Sequence, residues 1–187
     1  MTERGLFGES NEVGDLPQRQ AGGRDVAVRR IAPDAHLVMV GNTGDRDYVD
    51  WQEQMIKELR LDESSVHIAG HVSHQDMLTY YRCADVYVSM SEHEGFCVPL
   101  VEAMCFDVPI LAYKAAAVPE TMGDSGVLLE TKDPATSAMY LHEILFEKDL
   151  RSQIIEDERE RLKRFSYDVV SKEFIDTLKQ YIEGVKS

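Results

Sequence analysis

Two carboxylates, Glu94 and Glu102, are separated by seven residues in the stretch SEHEGFCVPLVEAM, residues 91–104. They flank a turn that leads into a helix, and the neighbouring residues say how. The preceding DVYVSM (85–90) alternates apolar and polar residues at strand period. Gly95 and Phe96 follow Glu94, and Pro99 sits where a first helical residue belongs, its missing N–H costing nothing there. Strand, turn and helix in that order put the N–H groups of a helix start at the carboxyl end of a strand. Open α/β sheets bind anionic ligands there, and a helix N-terminus attracts phosphate. Gly95 carries no side chain, so a ligand can come close to the backbone.

Other reactive residue types are less organised. His71 and His74 lie three apart, near His67 and His93, but no Cys or third His is placed to close a tetrahedral metal site. No metal is expected. No Ser–His–Asp or Cys–His arrangement has supporting context. Cys83, Cys97 and Cys105 lack paired spacing, which suits packed thiols in a reducing cytoplasm.

The elements that must hold the two glutamates follow a regular order. His36–Val40 reads as a strand, and DYVDWQEQMIKELRL carries Val49, Met55, Ile56 and Leu59 at helical spacing. Val66–Ala69 is a short strand, Gln75–Cys83 a helix, and Pro109–Tyr113 and Val127–Leu129 are further strands. Asp133 and Pro134 read as a cap and first turn of a helix running to about Phe146. A charged helix spans roughly 149–163, and a last one sets Val170, Phe174, Leu178 and Tyr181 on one face. Alternating strands and helices argue for a parallel sheet of about five strands with right-handed crossovers.

At 187 residues, 43% apolar and 29% charged, the chain has the length and balance of one globular domain. Residues 1–25 are polar, glycine-rich and without periodicity, a leader expected to be disordered or extended; residues 26–187 form the domain. A net charge of −14 disfavours nucleic acid and anionic lipid as partners. No run is apolar enough for a membrane span, and no signal peptide is evident.

The segment EGFCVPLVE, Glu94 to Glu102, resembles the donor-binding motif of retaining glycosyltransferases of the GT-B fold. The likeness extends over residues 28–185, through HLVMVGN, HIAGHVSHQDMLTYYRCADVYVSM, AMCFDVPILAY and AVPETMGDSGVLLETKDP. It implies an α/β, Rossmann-like three-layer domain with a parallel sheet, the C-terminal half of a GT-B fold. It also implies a nucleoside diphosphate sugar as donor, a hydroxyl acceptor, retention at the anomeric carbon, and no cofactor or metal.

The same resemblance implies roles for individual residues. Glu94 would bond hydroxyls of the donor sugar as the catalytic-site carboxylate, and Glu102 the ribose hydroxyls. The N–H groups at Phe96, Cys97 and Val98, beside Gly95, would face diphosphate and sugar. Val72 and Ser73 would meet the nucleobase through main-chain groups. Plainer alternatives are a solvated loop carboxylate for Glu94 and a first-turn helix-dipole partner for Glu102. The chain also departs from the pattern. The acceptor half is absent, the usual first strand with its Gly-Arg…Lys turn is expected to be missing, and Gly23-Arg24 is only an echo of it. The chain is therefore expected to be a fragment, a truncated gene product or half of a split enzyme, the donor half incomplete alone, with a separate acceptor-domain protein as one candidate partner. Otherwise it is a non-catalytic nucleotide-sugar-binding or protein-interaction module.

Overall fold

The computed structural model describes residues 4–10, 32, 34–41, 46–61 and 65–185. Its strands are β1 Arg4–Ser10, β2 Ala35–Gly41, β3 Val66–Gly70, β4 Val86–Ser89, β5 Ile110–Tyr113 and β6 Val127–Leu129. Its helices are α1 Arg46–Glu58, α2 His74–Cys83, α3 Val98–Cys105, α4 Val118–Met122, α5 Pro134–Phe146, α6 Lys148–Leu162 and α7 Tyr167–Val185, with a 3-10 turn at Lys163–Phe165. The six strands form one sheet in the order β3-β2-β1-β4-β5-β6, every pair parallel.

The polar leader and missing first strand need correction. Residues 4–10 form β1, in the middle of the sheet, paired with β2 from Arg4–Ala35 to Ser10–Gly41 and with β4 through Leu6–Val86 and Phe7–Tyr87. RGLFGES carries only two adjacent apolar residues, so neither alternation nor a continuous run marks it. Backbone pairing on both sides makes it a strand all the same. The expected helix end at 26–31 and Gly23-Arg24 lie outside the described residues. Elsewhere the elements match expectation within about two residues, an ordinary scatter.

Helices cover both faces of the sheet. On one face Tyr81 of α2, Leu100, Ala103 and Met104 of α3, and Val118 and Met122 of α4 pack with Tyr87, Ile110 and Ala112. On the other, Ala138, Leu141, Ile144 and Leu145 of α5 and Ile154 of α6 meet Val86, Leu111 and Leu129. Local chemistry sets the helix starts. Asp133 caps α5 by accepting the Thr136 N–H at 2.7 Å, as its place before Pro134 predicts. Gly126 has φ +67, and a Cβ there would come within 2.1 Å of the Met122 methyl, so the turn into β6 favours glycine.

α6 passes the amino ends of β4 and β5 and ties them together. Arg151 donates to the Asp85 carbonyl at 2.5 Å, and Arg159 forks onto Asp107 at 2.7 and 2.8 Å. Glu158, fully buried, accepts the Ile110 N–H at 2.9 Å through Oε1, while its Oε2 has no hydrogen-bond partner among the described residues. α7 differs from the other helices. Tyr167, Val170, Phe174, Ile175, Leu178 and Tyr181 are exposed along it, Tyr167 at 85%. Among the described residues no helix is long and apolar enough to cross a membrane.

Burial pushes the Glu158 carboxyl up to about 8, against the pull of the Ile110 N–H and Arg151. The folded chain keeps that proton to about pH 8, whereas the unfolded chain releases it near 4.5. The unfolded state therefore binds fewer protons across that window, and stability falls as pH rises through it. Glu158→Gln keeps an acceptor for Ile110 and cannot ionise. Thermal melts should show a higher melting temperature than wild type at pH 8, with the difference shrinking toward pH 5. A constant difference at both pH values would show that Glu158 does not titrate on unfolding.

Candidate functional site

The strand order places a crevice before any side chain is considered. Numbering runs outward from β1 to β3 on one side and from β4 to β6 on the other, so connections diverge at the β1–β4 boundary. In open α/β sheets the space outside the carboxyl ends of the strands at such a boundary is where ligands bind. Residues 90–97 leave β4 there and enter α3.

α3 starts without a side-chain cap. Cys97 is its N-cap, at φ 61 and ψ 63, and Pro99 occupies the first turn. A left-handed conformation at a residue with a Cβ costs about 1–2 kcal/mol. Burial of the Cys97 side chain in the first core offsets part of this. The start of α3, with the positive end of its dipole, thus follows the carboxyl end of β4. Gly95 lies on the exposed lip; a Cβ built there would meet nothing within 4 Å. Its backbone needs no glycine, so the open space is what sets it apart.

The two glutamates differ in their anchoring. Glu94 is half-buried; its carbonyl accepts the Ala117 N–H at 3.3 Å, and its carboxylate makes no hydrogen bond or ion pair among the described residues. Glu102 accepts from the Tyr81 hydroxyl at 3.1 Å through Oε2. That hydroxyl belongs to a fully buried ring, stacked on Phe106 at 5.5 Å. Tyr81 thus steadies the Glu102 carboxylate through Oε2, although its hydroxyl also lies 3.4 Å from the Pro99 carbonyl. Glu102 is the fifth residue of α3, and no acidic residue stands in the first turn. The dipole alternative for Glu102 thus loses its geometry, because the dipole acts within the first turn.

Phe96 is 47% exposed, and its ring meets Phe165 edge-on at 5.5 Å. Its carbonyl accepts from the buried Thr121 hydroxyl. Arg161 donates to the carbonyls of Thr121, at 2.9 Å, and Glu120, and lies over the Phe165 ring. Val98, on the outer side of α3, is exposed.

Val72 and Ser73 reach the same edge of the sheet from the end of β3. Val72 packs against the first core. Ser73 caps α2: its Oγ accepts the Asp76 N–H at 3.2 Å and its carbonyl accepts the Met77 N–H at 2.9 Å. The Ser73 side chain and carbonyl are thus committed to the helix.

Sequence reasoning missed Tyr81, Thr121, Arg161, Phe165 and Ser91. The Ser91 Oγ is buried in the loop with no hydrogen-bond partner among the described residues. It also missed Lys132, whose ammonium pairs with Glu92 at 2.5 Å and holds that carboxyl below the usual range. Apart from the tyrosines in YYRC, which sit on an amphipathic helix, no local signal marks these residues; the hydrogen bonds named for Tyr81, Thr121, Arg161 and Lys132 span 21 to 41 positions. No group of three or more His, Cys, Asp or Glu among the described residues could hold a metal ion.

The model of the family "Glycosyl transferases group 1" matches residues 26–161, more than half of the chain. O-antigen chain mannosyltransferase B of Escherichia coli is 27% identical over 143 residues, 76% of this chain and 37% of that protein. Among solved structures, Anabaena HepE with UDP-glucose superposes at a TM-score of 0.77 with 22% identity, over 94% of this chain and 48% of its own. The C-terminal domain of the group 1 glycosyltransferase LpcC of Francisella tularensis superposes at 0.70 with 26% identity, covering 84% of each chain. This chain therefore spans less than half the length of the mannosyltransferase and of HepE. It belongs to the group 1 glycosyltransferases and has the Rossmann-like fold of the C-terminal domain of their GT-B architecture.

Proposed function

We propose that this domain binds the nucleoside diphosphate sugar of a retaining glycosyltransferase, which moves a hexose to a hydroxyl acceptor. The observation that carries the reading is the pair of glutamates on either side of an uncapped helix start at the β1–β4 boundary. Glu94, unpaired and on the loop, suits the sugar hydroxyls, and Glu102, pre-set by Tyr81, suits the ribose. Between them the N–H groups of Phe96, Cys97 and Val98 receive the diphosphate. Gly95 leaves room for the sugar, and Val72 with the Ser73 main chain lies toward the base.

Breaking the bond from the anomeric carbon to the diphosphate puts negative charge on the leaving phosphate. Fixed N–H dipoles already aimed there stabilise that charge without reorganising. The chemistry invoked needs no metal and no protein nucleophile; the departing phosphate takes the acceptor's proton. A UDP-glucose complex of HepE and a mannosyltransferase relative make UDP- and GDP-hexoses the first donors to test. Acceptor binding falls to a second half, in another chain or elsewhere, and the exposed apolar face of α7 suits contact with it. The reaction is placed in the cytoplasm, where sugar nucleotides are at hand.

Calorimetry with UDP, GDP, UDP-glucose and GDP-mannose tests the reading directly. No heat at millimolar ligand would end it. Where binding occurs, Glu102→Gln should weaken nucleotide and sugar nucleotide alike, by about tenfold for one charge-assisted hydrogen bond. Glu94→Gln should weaken the sugar nucleotide alone, to a similar extent. Small, equal effects of both changes on both ligands would count against the assignment. Gly95→Ala gives a separate check. Its melting temperature should match wild type, because the added methyl touches nothing, while sugar-nucleotide affinity drops as the methyl takes up ligand space. Unchanged affinity would move the sugar away from Gly95.

A further inference from the structure

Lys132 is an unusual lysine. Its side chain is 5% exposed, in the connection between β6 and α5, immediately before the cap residue Asp133. Removing an ammonium from water is costly unless it is paired and hydrogen-bonded. Its partner is the Glu92 carboxylate at 2.5 Å, forty positions earlier in the chain and two residues before Glu94. On the way the ammonium passes 4.7 Å from the centre of the Tyr113 ring, at the carboxyl end of β5. One side chain thus links the connections that leave β4, β5 and β6. Among the described residues the loop at 90–97 is also held from α4, by the Ala117 N–H on the Glu94 carbonyl and the Thr121 hydroxyl on the Phe96 carbonyl. Both act from Glu94 onward. Upstream of Glu94, Lys132 provides the hold, and it grips a side chain whose outer part stays in water, 37% exposed.

We propose that Lys132 and Glu92 form a positioning pair that orients the Glu94 segment toward the donor sugar. The proposal rests on the donor-binding reading above. Sugar recognition by one carboxylate depends on placement to within a fraction of an ångström. The nucleotide depends on Glu102, α3 and Tyr81, which the pair does not touch. Loosening the pair therefore affects the sugar and spares the nucleotide. A buried ion pair with a purely architectural role would act on stability, or on both ligands together.

The test is calorimetry of the full chain with UDP and UDP-glucose, or with GDP and GDP-mannose if wild type prefers them, alongside thermal melts. Lys132→Met should lower sugar-nucleotide affinity by about tenfold, the worth of one charge-assisted contact, with UDP or GDP affinity unchanged. Glu92→Gln breaks the same pair from its exposed end and should reproduce the selective loss even where Lys132→Met folds poorly. Lys132→Arg should restore part of it. The double variant should be no worse than the weaker single one, because both changes remove the same contact. Equal weakening of nucleotide and sugar nucleotide, or intact affinity for both in Glu92→Gln, would overturn the pair's positioning role while leaving the donor site standing. Wild type binding neither ligand would instead overturn the donor reading and, with it, this proposal.

Discussion

The site exists because β1 lies beside β4. That adjacency sends successive crossovers in opposite directions, so the connections after β1 and after β4 part and leave a crevice that no side chain has to carve. Everything functional here is an elaboration of that backbone constraint. α3 begins at the crevice because residues 90–97 leave β4 there, and its N–H groups face outward because a parallel strand followed by a helix always reverses direction at the carboxyl edge. Glu94 and Glu102 gain their separate positions from the same geometry, one on the loop before the helix and one in its second turn.

A ligand edge made of loops needs a rigid frame, and α6 supplies much of it. Its arginines and Glu158 bind the segments that start β4 and β5, while Arg161 reaches α4 and the Phe165 ring that backs Phe96. The exposed Arg159–Asp107 fork contributes little by itself, as surface pairs do. The buried contacts matter more, because leaving the Ile110 N–H or the Thr121 carbonyl unmet would carry the full desolvation penalty. Cys97 shows the opposing term. The chain accepts a left-handed residue with a side chain at the helix start, and the packed core below makes that conformation hold.

Much of this was legible in the sequence, and the exceptions share a cause. The loop and helix of the glutamates were readable from DVYVSM, Gly95 and Pro99, because strand period and helix-start chemistry are local signals. The Asp133 cap was readable for the same reason. β1 was not, since a central parallel strand is defined by neighbours on both sides and RGLFGES has too few apolar residues to announce itself. Tyr81 on Glu102, Thr121 on Phe96 and Lys132 on Glu92 were also hidden. Each joins residues more than twenty positions apart, and side-chain polarity alone cannot say which distant groups the fold brings together. The cap that Ser73 gives α2 was hidden as well, although Ser followed by an acidic residue three positions on is a local helix-start signal.

The charge balance ties these points together. With a net charge of −14, the donor reading proposed above asks the chain to hold a diphosphate against its own field. Among the described residues Lys132 is engaged with Glu92, Lys114 with Glu130 and Arg161 with two carbonyls. Those charges hold scaffold, so under the proposed reading the dipole at the start of α3 carries part of the attraction. Dipoles act only at short range and only when correctly aimed, whereas a mobile lysine can follow a phosphate. That places a stricter demand on rigidity here than a cation-rich site would. The left-handed Cys97, the buried Thr121 hydroxyl and the Lys132 tether all serve that demand, each fixing a different point of one eight-residue loop.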